Sequence, residues 1–204
     1  MGSKPINLVL EPATLDDIPA IADLWFDAFT EPLVRRLWPD TPGMRKWVRD
    51  DWYTPDFHKP HIKYLRVVDT EATDAQGRPR IVAFAKWDTA TPEERGARFP
   101  PWHSDSPKEE CDVLMGGLDN ERIRIMKNQR HYYLDTLATH PEYQRRGAGS
   151  LAVKWGCDMA DRDGVSGYVD ANQEGAGLYK KFGFVDYSQP GAVIASMARG
   201  KTSL

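Results

Sequence analysis

Tyr132 to Asp170 constrains this chain more than any other stretch. Tyr132 to Thr139 reads as a strand rich in aromatic and β-branched residues. A short polar turn follows, and from Gly149 to Arg162 the residues Leu151, Trp155 and Met159 recur every fourth position, the stripe of an amphipathic helix. Ser166 to Asp170 is then a second strand. Strand, helix and strand in that order form one βαβ unit, which places the chain among α/β folds.

The turn itself, Gln144-Arg145-Arg146-Gly147-Ala148-Gly149, has the makings of an anion site. The first N–H groups of a helix lack intrahelical acceptors and sit at the positive end of its dipole. Gly147 and Gly149 let a phosphate approach the backbone with no Cβ in the way. Arg145 and Arg146 either add positive charge there or are simply solvated.

Upstream, Asn7 to Glu11 reads as a first strand ended by Pro12. Ile18, Ile21, Ala22, Trp25 and Phe29 then repeat at three and four, a helix with Asp16 as its expected cap and Pro19 in its first turn. Residues 31 to 57 carry Trp38, Trp47, Trp52 and Tyr53 in a second helical region, whose aromatics serve either as core or as the wall of a substrate pocket. His61 to Asp69 and Arg80 to Trp87 form a hairpin around Asp74-Ala75-Gln76-Gly77. From Thr89 to Arg130 prolines and charges dominate, and this segment (89–130) is expected to be an insertion between the third and fourth strands. Only Asn120 to Asn128 within it shows a weak helical pattern. It is read either as a cover over an acceptor site, with Phe99, Trp102 and Met115 beside acidic residues, or as a solvated loop. Gly175 to Phe182 is a short helix, and Phe184 to Tyr187 and Ala192 to Met197 are closing strands.

Composition narrows the partners. With 204 residues, 41% hydrophobic and 28% charged, the chain suits a single domain spanning 1–204 with a sizeable core. A net charge of -3 gives no reason to expect nucleic-acid binding. No apolar run approaches a membrane span, so no membrane association is expected. Cys111 and Cys157 fit neither a disulfide framework nor a zinc knuckle, which suggests a cytoplasmic protein with no metal.

Two known patterns overlap in the turn. Gly147 to Ala152 satisfies the dinucleotide fingerprint G-x-G-x-x-A, with Asp170 about twenty residues on, near the ribose-reading position. Against this, His140 to Gln144 separates the strand from the first glycine, and only one βαβ unit is visible. Gln144 to Gly149 also matches [QR]-x-x-G-x-[GA], and the neighbourhood agrees: Leu137-Ala138-Thr139-His140-Pro141-Glu142-Tyr143 precedes it, while Asn172, Leu178-Tyr179 and Lys180-Lys181-Phe182-Gly183-Phe184 follow. In these segments the chain resembles the GNAT superfamily of acetyltransferases, with Gly175 where that pattern usually has alanine.

The resemblance implies a single GNAT domain: a mixed, mainly antiparallel sheet splayed between strands 4 and 5, with helices on both faces. It implies acetyl-CoA as co-substrate, held along Leu137, Ala138 and Thr139 at the pantetheine and by Gln144, Arg145, Arg146, Gly147, Ala148, Gly149 and Ser150 at the pyrophosphate. Asn172 would touch the pantetheine or merely cap a turn. Tyr179 would protonate the leaving thiolate. Asp135 is the candidate base, on the face that strict alternation gives to Tyr133, Asp135 and Leu137, or else a structural partner of an arginine. His140, His103 and His131 are weaker candidates. The implied reaction is transfer of acetyl to a small-molecule amine by a monomer or homodimer, and the alternative from another class is a catalytically silent CoA-binding module.

Overall fold

Seven strands form one sheet in the order β1-β2-β3-β4-β5-β7-β6 in the computed structural model, which describes residues 7–200. They are β1 (Leu8–Pro12), β2 (Ile62–Thr73), β3 (Pro79–Asp88), β4 (His131–Thr139), β5 (Ser166–Ala171), β6 (Val185–Asp186) and β7 (Ala195–Arg199). Every neighbouring pair is antiparallel except β4 and β5. That exception is the predicted βαβ unit, since a parallel pair needs a long crossover and α6 (Ala148–Arg162) supplies it. The last strand slots between β5 and β6, so the chain closes its sheet from the inside.

Helices cover both faces. Ala152, Val153, Cys157 and Ala160 of α6, with Tyr179 of α7 (Gln173–Lys180), pack on Leu65, Ala85, Trp87, Leu134 and Val169. On the opposite face lie α1 (Ile18–Ala28), α2 (Pro32–Leu37), α3 (Pro42–Lys46), a π-helical turn (Trp47–Tyr53) and α4 (Thr54–Phe57), packed on Tyr64, Phe84 and Ala138.

The start of α1 differs from the expected Asp16 cap. The Thr14 N–H donates to the Asp17 carboxylate at 2.7 Å, and Leu15–Asp17 forms a 3-10 turn before Ile18. Asp17 reaches back because Arg66 also anchors it, at 2.6 Å. Pro19 falls in the first turn, where its missing N–H costs little.

Trp38, Trp47, Trp52 and Tyr53 are all buried, so of their two readings core packing holds. Their partners come from the insertion: Phe99 lies 4.6 Å from Trp52 and 5.8 Å from Trp38 between ring centroids, and Trp102 lies 6.3 Å from Trp47. The Trp47 indole donates to the Pro101 carbonyl at 3.0 Å. That part of the insertion is therefore no solvated loop.

Its helix is also longer than the sequence pattern suggests. α5 runs Lys108–Met126, twelve residues earlier than expected at its start. Of its side chains only Cys111 and Met126 are fully buried, so the apolar repeat that announces a helix is missing, and Gly116-Gly117 at its middle further hides it. Glu109 and Glu110 favour its N-terminus, and it stops at Lys127, whose φ of 52° leaves the helical region.

Candidate active site

β4 and β5 pair only from His131↔Ser166 to Leu134↔Val169. Beyond Leu134 the two strands part, and Leu137, Ala138 and Thr139 keep β3 on one side while their other edge faces the opening. At this point β4 also carries a bulge: Lys86 opposes Thr136 and Trp87 opposes Leu134, leaving Asp135 as the extra residue. The bulge overturns the expected alternation. Leu137 packs with α6 and α7, whereas Tyr133 packs on the opposite face with Met126, Tyr168 and Ala198.

The end of β4 leads into a tight turn. Burying Tyr143 with its hydroxyl on Asp69 at 3.1 Å pins the 3-10 turn Pro141–Tyr143 under the sheet, and the Gln144 amide reaches the Thr139 carbonyl at 3.5 Å. His140 shapes this turn by accepting from the Glu142 N–H at 3.3 Å. Arg145 follows with φ of 60°, a left-handed conformation that a residue with a Cβ adopts only under constraint. Gly147, at φ of 96°, is the N-cap of α6. Among the described residues no backbone acceptor meets the N–H groups of Gly147, Ala148 or Gly149. Gly149 sits close under this opening: a Cβ there would lie 3.4 to 3.6 Å from Leu178, Thr139 and Leu137. Arg145 and Arg146 are exposed, and Arg146 leans over the Tyr143 ring at 5.7 Å.

On the far wall of the opening, Asn172 caps α7, its Oδ1 accepting from the Gly175 N–H at 2.8 Å. The glycine in place of alanine has a reason: a Cβ at 175 would come within 2.9 Å of that Oδ1. One turn on, Tyr179 is buried against Phe184, and burial raises its hydroxyl above the ordinary tyrosine value. The phenol is therefore protonated across the physiological range and able to donate.

Asp135 is not a free carboxylate. Its side chain is 4% exposed and holds Lys86 at 2.7 Å and the Arg98 guanidinium, which also donates to the Asp135 carbonyl at 2.7 Å. Burial by itself would raise its pKa, but Arg98 and then Lys86 outweigh that and hold it below the usual carboxylate range. Such a group is a poor proton acceptor, and of its two readings the geometry favours the structural one. Sequence reasoning missed Lys86, whose signal was a lysine inside the apolar run Val82-Ala83-Phe84-Ala85-Lys86-Trp87. Lys86 also binds Asp56, and Arg95 binds Asp88 at 2.8 Å, around a polar cavity whose aspartates all have cationic partners. His131 belongs to this structural set: burial and Arg95 push its imidazole down to about 4, so it is neutral at pH 7. His103 lies elsewhere, beside Asp105.

Residues 22–184 match the Acetyltransferase (GNAT) family, spanning both walls of the opening. The chain belongs to this family. A GNAT acyltransferase is thus the enzyme class. An acetyltransferase from Stachybotrys chartarum is 23% identical over 181 residues, covering 84% of this chain and 78% of its own. Among solved structures, the histone acetyltransferase HPA2-related protein of Corynebacterium glutamicum superposes with a TM-score of 0.58 at 22% identity, over 97% of this chain and 98% of its own. PaiA N-acetyltransferase from Thermoplasma acidophilum, solved in complex with coenzyme A, gives 0.56 at 10% identity over 95% and 99%. These two likenesses show the GNAT fold. The dinucleotide reading falls with the family match, and Asp170 has no ribose-reading position: it is half-buried and accepts from the Tyr133 and Tyr168 hydroxyls at 2.8 Å each.

Proposed function

We propose that this GNAT enzyme transfers the acetyl group of acetyl-CoA to a primary amine by direct attack. The observation that carries the reading is the opening of the β4–β5 ladder after Leu134, with the α6 N-terminus at its mouth and the Tyr179 hydroxyl on its far wall. Strand edges without a partner offer N–H and C=O groups to an amide-bearing arm, much as a sheet edge takes up a peptide. Leu137, Ala138 and Thr139 supply that edge for the pantetheine. Gln144 to Ser150 supply N–H groups, helix dipole and two guanidinium charges for the pyrophosphate. Asn172, whose Oδ1 is committed to capping, contributes by fixing α7 rather than by accepting from the arm.

In the reaction the amine nitrogen attacks the thioester carbon, the C–S bond breaks as the C–N bond forms, and the thiolate takes the Tyr179 proton. Asp135 keeps the bulge in β4 in place through Lys86 and Arg98. The PaiA relative, solved with coenzyme A, supports the choice of donor. We place the reaction in the cytoplasm, where the two buried free thiols, Cys111 and Cys157, stay reduced. No helix of the described residues is long and apolar enough to cross a membrane.

The test is mass spectrometry of products after incubation with acetyl-CoA and a panel of alkylamines, arylalkylamines, polyamines, amino-acid amides, aminoglycosides and short peptides. An acetylated amine with stoichiometric free CoA is expected. Tight CoA binding without product from any amine would point instead to a silent binding module.

A further inference from the structure

If Asp135 is locked between two cations, the proton of an ammonium acceptor has to go elsewhere. Glu31 lies in the connection between α1 and α2 and meets Asn172, the N-cap of α7. One oxygen, Oε1, accepts from the Asn172 amide at 3.1 Å. The other, Oε2, is buried and has no hydrogen-bond partner among the described residues. A buried carboxylate oxygen left unpaired is costly, so a donor from a ligand or a water has to complete it.

Its place relative to the chemistry follows from Gly175. A Cβ there would lie 2.9 Å from Asn172 Oδ1, 3.3 Å from Tyr179 Cε2 and 3.9 Å from the Tyr179 hydroxyl. Asn172 and the Tyr179 hydroxyl thus border one small volume, and Glu31 is tied to it by a single hydrogen bond across a sequence separation of 141. Other charged groups on the adjoining elements do not neutralise Glu31. Arg35, one turn on in α2, donates to the Phe26 carbonyl and faces Asp40 at 3.9 Å, its Nη1 being buried without a partner among the described residues, and neither it nor the exposed Lys180 comes within ion-pair distance of Glu31, while Asp27 and Glu174 are exposed carboxylates.

We infer that Glu31 is the carboxylate that receives the ammonium of a cationic amine acceptor and takes its proton, directly or through one water. The inference rests on the N-acetyltransferase reading above and adds the acceptor's charge and its anchor. In balance, R-NH3+ gives one proton to Glu31 and the freed amine attacks the acetyl carbon. The C–S bond breaks, Tyr179 protonates the sulfur, and the second nitrogen proton, lost as the amide forms, restores the tyrosine through solvent. The net products are the acetamide, CoA-SH and one proton.

Glu31→Gln tests this, using the amine that gives the largest product signal in the panel. CoA affinity by calorimetry is expected to stay unchanged, while kcat/KM for the amine falls about 10²-fold well below the amine's own pKa. The loss should shrink as pH rises and free amine binds already deprotonated. Glu31→Asp should restore part of the low-pH activity. Because the variant removes an unpaired buried charge, its melting temperature should hold or rise, whereas a structural ion-pair role would lower it. Wild-type acceptor kinetics at low pH, or a loss equal at every pH, would overturn the inference while leaving acetyl transfer intact. Failure of every amine with the unmutated enzyme would remove the reading beneath it instead.

Discussion

The glycine turn that follows β4 and the charged cluster around Asp135 are built over very different distances in the chain. On the β4–α6 side, the Gln144 amide meets the Thr139 carbonyl five residues away, and Gly147 caps the helix that begins at the next residue. On the face carrying the insertion, Arg98 meets Asp135 across 37 residues and Lys86 meets Asp56 across 30. The first side is set by backbone geometry within a few residues, and the side chains of Arg145 and Arg146 on it are exposed. The second depends on buried charges whose partners must all arrive together, and it is correspondingly easy to break. A local motif shapes the turn, and long-range pairs hold the bulge in β4.

The largest expected effect breaks the long-range side. Asp135→Ala strands Lys86 and Arg98 without their shared carboxylate, and removing one partner of a buried ion pair costs about 3–5 kcal/mol. Urea denaturation should show that loss, with the β4 bulge as its origin. The pH dependence has a definite sign. Because the folded pKa of Asp135 is lowered, its stabilisation is complete above the ordinary carboxylate value and is lost as pH falls through the lowered one. Stability of the wild type should therefore fall more steeply below pH 4 than that of Asp135→Ala, roughly over the ordinary carboxylate range and beneath it. Equal stability of the two proteins at pH 7 would contradict the ion-pair reading.

Next comes Tyr179→Phe, which sharpens the contrast by removing chemistry without shape. Turnover should fall about 10²–10³-fold, in line with loss of a single transition-state donor, with little change in donor KM or melting temperature. Single-turnover kinetics would check that the chemical step is the one slowed.

Smaller still is Gly147→Ala. At φ of 96° a Cβ is strained by about 1–2 kcal/mol, although no atom lies within 4 Å of it. Calorimetry should find CoA binding weakened several-fold in a folded protein. Unchanged affinity would separate the helix start from the pyrophosphate.

The smallest effect has opposite signs in two measurements. Arg145→Gly relieves a left-handed residue and should stabilise by up to about 1 kcal/mol, while CoA affinity drops a few-fold and loses part of its salt dependence. A stabilised variant with unaltered CoA affinity would show that Arg145 is held in this conformation for the turn alone.

Much of this was legible beforehand. β4, α6 and β5 were readable because each is made of contiguous residues with its own period, and the opening between β4 and β5 came with the family resemblance. α5 was largely hidden, since a helix with two fully buried side chains leaves little periodic trace. The aromatic set was visible as residues, but its role as core depended on Phe99 and Trp102 arriving from the insertion.

Residue order alone gave the strand–helix–strand unit and pointed to the glycine turn and the family resemblance, because those follow from dihedral preferences and spacing within a few residues. Tertiary structure alone decided which carboxylates are free. Asp135 sits where a base was expected, yet one extra residue in β4 and two distant cations neutralise it, while Glu31, unremarked in its own neighbourhood, is left with a buried oxygen unpaired. The physical reason is that a side chain's protonation and availability depend on what folding brings within a few ångströms, and charge burial acts through space without regard to position along the chain.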